Sequence, residues 1–333
     1  MDALVGAQGV AQVIAHRRGR RVAAQPEGVS LLIGRVGWLR LSLSVPAYGL
    51  LLLVASLALL GTSQLAVALV NWLATLVVTL VLSATAVSAQ APTDGTFTTS
   101  DGIKIHYLTA GTTGSWVVLV HGYSDNAQRM WFATGIAPAL AKHHRVVALD
   151  NRNHGQSDKP VPGASGRAQD VVELMDHLKI EKAHIHGYSM GGGITGQLLG
   201  MIPGRFITAG FGGSGMQETD PKLRAQAVAM DEALPKAEGA DAAGMDRFRA
   251  RVAASRPAGT PPVSATPAPV DLTKLDIPIL AVNGTFDNPY AKTQRLWREA
   301  RVFQNVLLAG KTHLTAIATG ANTPPLYIES ISK

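Results

Sequence analysis

The sequence predicts an α/β protein built on a doubly wound, mostly parallel sheet, and three observations carry that expectation. From residue 92 onward, short β-rich runs alternate with helical ones, the order that lays parallel strands side by side under helices. Some of those runs are apolar without interruption, as strands covered on both faces require. The stretch is also long enough to bury one sizeable core. Right-handed crossovers between its strands would complete a doubly wound architecture.

The elements follow in order. Residues 96–99 and 103–108 flank Asp101-Gly102, a hairpin signal. Trp116 to Val120 is a continuous apolar run bounded by Gly114 and by His121-Gly122, hence a strand. Apolar spacing predicts a helix around 131–142, a strand over 145–149 ending at Asp150, a helix over 167–178 and a strand over 182–186. A helix over 190–201 and a strand over 206–211 come next. Strand, helix and strand return at 279–282, 290–300 and 305–308, and a short last helix is expected around 326–332. Between residues 214 and 276 the alternation lapses. Helical pieces at 223–234 and around 245–254, with a Pro/Ala/Thr-rich run over 256–269, read as a small lid of about residues 215–270 inserted over the sheet edge.

Composition divides the 333 residues unevenly: residues 41–93 form 53 consecutive positions without Asp, Glu, Lys or Arg. The expected organisation is a basic and hydrophobic extension over 1–91 and one globular domain over 92–333. Within the extension, 65–82 is an 18-residue apolar stretch near the lower limit for a bilayer span. Small residues at 87–89 and 89–91 fit a signal-peptidase site, and Arg17 to Arg40 favour a cytoplasmic N-terminus. A cleaved export signal and an uncleaved anchor both remain open. A buried core helix fits less well, because the stretch is apolar all round. The expectation is therefore an exported (periplasmic or secreted) or membrane-anchored protein, with any membrane association made through residues 41–89.

Charge and cysteine content exclude several function classes. Of the net charge of +7, the first 93 residues supply six Arg against two acids, and the rest carries 24 basic and 21 acidic groups. No basic stripe interleaved with aromatics is present, so a nucleic-acid partner is not expected. The absence of cysteine removes a disulfide framework, a thiolate metal site and a Cys nucleophile together.

The residues that carry chemistry begin with Gly187-Tyr188-Ser189-Met190-Gly191, set between an expected strand and an expected helix. A serine hydroxyl is a poor nucleophile unless a base stands beside it and its oxygen projects from the backbone. A sharp strand-to-helix turn projects it, and the flanking glycines permit the close approach. The same turn puts the Met190 N–H at a helix start, where a developing oxyanion is favoured. Tyr123, in the His121-Gly122-Tyr123-Ser124 loop after the 116–120 strand, is placed to offer the second N–H; an ordinary glycine loop, with His121 bonding nearby turns, is the plainer alternative. Among ten histidines, only His313 lies beyond the last strands, just past 305–308, which makes it the candidate base. His184 and His186 alternate on the strand before Ser189 and read as packing or hydrogen-bonding residues. Asp287, after the 279–282 strand, is the candidate acid, with Asp220 as its competitor. Asp150-Asn151-Arg152-Asn153-His154-Gly155-Gln156-Ser157 follows another strand end and reads as a loop fixed by its own polar groups.

With these motifs in this order, residues 95–330 resemble the α/β-hydrolase superfamily, and a serine esterase-like member in particular. The matching segments are His121-Gly122-Tyr123, Asp150-x-Arg152-x-His154-Gly155-x-Ser157, Gly187–Gly191, Asp287 and His313. Asn153 stands where relatives usually carry glycine, and a left-handed backbone there would suit Asn. The resemblance implies a serine hydrolase that cleaves carboxylic esters of small molecules through an acyl-enzyme, with Ser189, Asp287 and His313 as catalytic residues, Tyr123 and Met190 as the oxyanion hole, and no cofactor or metal. Cofactor-free haloperoxidase or perhydrolase activity with the same triad is the alternative. So is a non-catalytic binding module on the same scaffold. Haloalkane dehalogenases and epoxide hydrolases resemble the chain less, since their nucleophile is Asp.

Overall fold

A strand covered on both faces needs apolar side chains on both, and Trp116–Val120 supplies them. Val118 and Val120 join one cluster with Leu174, Leu198 and Leu296, while Val117 and Leu119 join the opposite one with Trp131, Ile136 and Leu140. That split is the two-residue alternation of a pleated strand. The computed structural model describes residues 13–16, 72–73, 75–76, 91–160, 166–254, 270–318 and 325–332. Its strands are β1 (Val13–His16), β2 (Thr93–Thr98), β3 (Lys104–Ala110), β4 (Trp116–Val120), β5 (Arg145–Leu149), β6 (Ala183–Tyr188), β7 (Phe206–Gly212), β8 (Ile279–Gly284) and β9 (Phe303–Leu308). The helices are α1 (Ile136–Leu140), α2 (Arg167–His177), α3 (Met190–Met201), α4 (Pro221–Glu232), α5 (Gly239–Ala254), α6 (Pro289–Glu299) and α7 (Pro325–Ser332).

The strands form one sheet in the order β1-β9-β8-β7-β6-β4-β5-β3-β2. Pairing is parallel from β5 through β4, β6, β7 and β8 to β9. It is antiparallel where β3 meets β5 and β2 meets β3 at one edge, and where β1 meets β9 at the other. Strand β4 has β5 on one side and β6 on the other. The chain therefore lays β5 to one side of β4 and then reverses to build the remaining strands on the other. Loops leaving the carboxyl ends of strands diverge at such a reversal and open a crevice. Here those loops are the ones after β4 and β6, which carry Tyr123 and Ser189.

Contacts divide the chain into two units, residues 1–22 with 91–333 and residues 23–90. In the second unit, 72–73 and 75–76 are helical. The rest of the 65–82 stretch read as signal or anchor lies outside the described residues, as does 256–269 of the lid. Among the described residues, no helix is long and apolar enough to cross a membrane. Strand β1 comes from the stretch that composition assigns to the extension. It pairs Val13 opposite Val306 and adds the edge strand next to β9.

Two elements differ from their sequence expectation. The helix expected over 131–142 is broken into a π-helical turn, Gln128–Phe132, and α1. Gly135 lies between them at φ 84°, and Thr134 Oγ1 donates to the Met130 carbonyl, which ends the first turn. Helix α5 starts at Gly239, six residues before the predicted 245. Its opening Gly-Ala-Asp-Ala-Ala-Gly carries no apolar side chain of any size, so periodicity cannot register it.

Two buried histidines tie the sheet to its surroundings and make stability depend on pH. His186 on β6 lies 2.8 Å from the Tyr327 hydroxyl on α7, and burial pushes its pKa down to about 3. His121 donates from Nδ1 to the Gly122 carbonyl at 2.7 Å and accepts at Nε2 from Asn151 N–H at 2.9 Å, an arrangement only the neutral ring can make. Burial lowers its pKa to about 4. In the unfolded chain both rings titrate near 6.5. Their native pKa values lie below that, so stability is undiminished above pH 6.5 and falls as the pH drops from there toward 4 and 3. We expect roughly 2 kcal/mol lost per histidine at pH 5. Urea unfolding at pH 7 and pH 5 checks this, and an unchanged midpoint would contradict it.

Candidate active site

The turn from β6 into α3 is built for close approach. A Cβ on Gly187 would come 2.1 Å from the Gly191 carbonyl oxygen, and one on Gly191 would come 2.0 Å from that of Val120. Only glycine lets the turn lie this close to itself and to the end of β4. Between them Ser189 is held at φ 54°, ψ −111°, a strained conformation for a residue with a side chain. Ser189 N–H donates to the Gly212 carbonyl at 2.8 Å, anchoring the turn to β7. Residue 190 then begins a helix, and its amide, like others in a first turn, has no intrahelical acceptor.

The loops after β8 and β9 bring the other two predicted residues to this serine. Thr285 and Phe286 donate backbone N–H bonds to the Leu308 and Lys311 carbonyls, zipping the two loops together. His313 Nε2 lies 2.8 Å from Ser189 Oγ, and His313 Nδ1 lies 2.8 Å from Asp287 Oδ2. Tyr188, the residue before the serine, donates its hydroxyl to the His313 carbonyl at 2.7 Å and so holds the backbone that carries the imidazole. Burial would raise the Asp287 carboxyl, but the His313 bond and the nearby Lys292 charge outweigh it and hold the acid below its ordinary value. Asp220 stands apart from this group. It is exposed and caps α4, accepting from the Lys222 and Leu223 amides at 2.7 and 3.2 Å.

Above the serine lies a cavity of about 200 Å³ lined by Tyr123, Met130, Tyr188, Ser189, Phe248 and His313, among others. Gly122 abuts the Ser189 turn, since a Cβ there would sit 3.3 Å from the Ser189 Cβ, and Tyr123 follows it. Phe248 comes from α5, its ring 5.7 Å from that of His313, and Arg251 from the same helix joins the lining. Arg129 and Asp125 complete the mouth, 3.6 Å apart, and burial raises the Asp125 carboxyl above its usual range. Sequence reasoning missed Phe248, Arg251, Tyr188 and Lys292 as site residues. The spacing of Phe248 and Arg251, three apart on one helix face, was a signal that they act together. Among the described residues, no group of three or more His, Asp or Glu is arranged to hold a metal ion.

The Asp150 loop is structural. Asp150 accepts from the Ala127 and Gln156 amides at 2.8 Å each and lies 2.9 Å from His106 Nδ1. Gly155 at φ 49° leaves room for that carboxylate, and Asn153 is left-handed at φ 71°. Arg152 reaches Asp170 at 2.8 Å and Asp101 at 2.8 Å. This hub buttresses the loop after β4 without reaching the cavity.

The sequence profile of the α/β-hydrolase fold family matches residues 115–256, the segment that holds β4, the Ser189 turn and most of the described lid. Over those residues the chain matches the α/β-hydrolase family, and its sheet has the α/β-hydrolase fold. Among curated relatives, this hydrolase-fold chain is similar to the dihydrolipoyllysine-residue acetyltransferase component of an acetoin cleaving system from Pseudomonas putida, 39% identical over 97 residues, covering 28% of this chain and 25% of that protein. It is 38% identical over 98 residues to a soluble epoxide hydrolase from a Corynebacterium species, covering 28% and 32% of the two chains. The alignments thus span about a quarter to a third of these relatives' length. A thermophilic esterase from Thermogutta terrifontis superposes with a TM-score of 0.51 at 20% identity, over 72% of this chain and 96% of that one. That likeness shows the α/β-hydrolase fold shared by the two.

Proposed function

We propose that this protein is a serine hydrolase that cleaves carboxylic esters through an acyl-enzyme. The observation that carries the reading is the unbroken chain Ser189 Oγ, His313, Asp287, with both contacts at 2.8 Å, opening on a small cavity. Ser189 Oγ attacks the ester carbonyl while His313 Nε2 takes its proton, and Asp287 stabilises the imidazolium that forms. The backbone N–H groups of Tyr123 and Met190 receive the tetrahedral oxyanion. Collapse expels the alcohol with the proton from His313. Water, deprotonated by the same imidazole, then attacks the acyl-enzyme and releases the acid. The 53 uncharged residues behind an Arg-rich start support a further reading, that the extension directs this domain to or across a membrane.

The size and lining of the cavity favour a short acyl chain. Met130, Tyr188, Phe248 and Ile317 give an apolar lining to a confined cavity of about 200 Å³. A panel of p-nitrophenyl esters from acetate to dodecanoate tests this on the intact protein. Acetate and butyrate are expected to exceed dodecanoate in kcat/KM by at least about tenfold, the discrimination that a few misfitting methylenes produce. A monotonic rise with chain length would contradict the acyl-pocket reading, and failure to hydrolyse any member would contradict the esterase reading itself.

A further inference from the structure

A lysine ammonium is seldom buried without a partner, because leaving water costs several kcal/mol. Lys292 on α6 is buried at its charged end: the stem leaves the side chain 20% exposed, but the Nζ atom is inaccessible. That Nζ lies 2.7 Å from Asp287 Oδ1, an ion pair whose angles fall outside hydrogen-bond geometry. The other carboxylate oxygen, Oδ2, is the one bound to His313. Asp287 is therefore held from two sides, by imidazole at one oxygen and by ammonium at the other.

The position of Lys292 is itself fixed from outside its own helix. Asn288, at the head of α6, makes no side-chain cap. Asp231 on lid helix α4 caps α6 in its place, accepting from the Tyr290 and Ala291 amides at 2.8 Å each. Met216 N–H donates to the Lys292 carbonyl at 2.9 Å. Resting on the triad reading above, we propose that Lys292 is a positioning residue of the reaction: its ammonium orients the Asp287 carboxylate and tempers the pull of that carboxylate on the His313 imidazolium. The charged groups facing Lys292 are Asp287 and, from α4, Asp231. Burial lowers the ammonium and the two carboxylates counteract that. Around His313 stand Tyr188, raised well above the phenol range by burial and so neutral, and across the cavity Asp125, Arg129 and Arg251.

A nearby like charge disfavours the protonated imidazole, and an opposite charge favours it. Removing the ammonium leaves Asp287 free to hold a protonated His313 more strongly, so the base stays blocked to higher pH. The test is the pH dependence of two rates, fluorophosphonate labelling of Ser189 and kcat/KM for p-nitrophenyl acetate, in the wild type, Lys292→Met, Lys292→Gln and Lys292→Arg. Lys292→Met is expected to shift the acid limb upward by about one pH unit and to lower the plateau about tenfold. Lys292→Gln keeps a donor without the charge, so it should show the shift with a smaller loss of plateau. Lys292→Arg should return the limb to the wild-type position. A folded Lys292→Gln or Lys292→Met protein whose limb coincides with the wild type overturns the proposal while leaving the triad standing. No labelling of Ser189 in the wild type overturns both.

Discussion

Replacing Ser189 with Ala is expected to lower ester hydrolysis by roughly 10⁴- to 10⁶-fold, the loss that follows removal of a triad nucleophile. The fold should survive. Ser189 Oγ is hydrogen-bonded to His313, and Ala meets the same backbone strain at φ 54° that Ser does. Thermal unfolding should therefore agree with the wild type to within about 1 kcal/mol. Residual turnover above about one per cent of wild type would mean that another group attacks the ester.

The second large effect concerns the acid. Asp287→Asn keeps the shape of the side chain but offers an amide N–H to His313 Nδ1, which then must accept. The imidazole proton moves to Nε2, facing Ser189, where a base needs a lone pair. The expected loss is about 10⁴-fold in kcat. Asp220→Asn should be nearly silent, because Asp220 is exposed, lacks a contact with the histidine, and caps α4 in a position Asn fills as well. Measuring both variants on one ester separates the candidates. A crippled Asp220→Asn beside a mild Asp287→Asn would transfer the acid role to the earlier strand and leave Ser189 and His313 in place.

Much of this arrangement could be read from the chain, and the reason is physical. In a doubly wound sheet the functional loops follow strand ends, so Ser189, Asp287 and His313 each sit within a few residues of the carboxyl end of a strand that is visible locally. Glycines at 187 and 191 are likewise local, since the tight turn that needs them is a few residues long. Strand β4 was legible because burial on both faces leaves an uninterrupted apolar signature. Strand β1 was not: four residues just ahead of an Arg-rich run carry no period, and pairing with β9 makes them a strand. The split of the 131–142 helix turned on one left-handed glycine within an otherwise helical pattern. Lys292 was invisible for a different reason. It lies five positions beyond Asp287 in an amphipathic helix, where a lysine reads as a solvated face, and only the packing of α6 under α4 turns it inward. Phe248 reaches His313 by the same kind of tertiary accident of the lid.

The most direct test of the central claim is the covalent chemistry of Ser189 itself. Full-length protein treated with a fluorophosphonate and digested for mass spectrometry should carry one adduct per chain, on the peptide containing Ser189, with loss of ester hydrolysis in step with labelling. The Ser189→Ala protein should carry none. An adduct mapped to another serine, or full hydrolytic activity in fully labelled protein, would contradict the account.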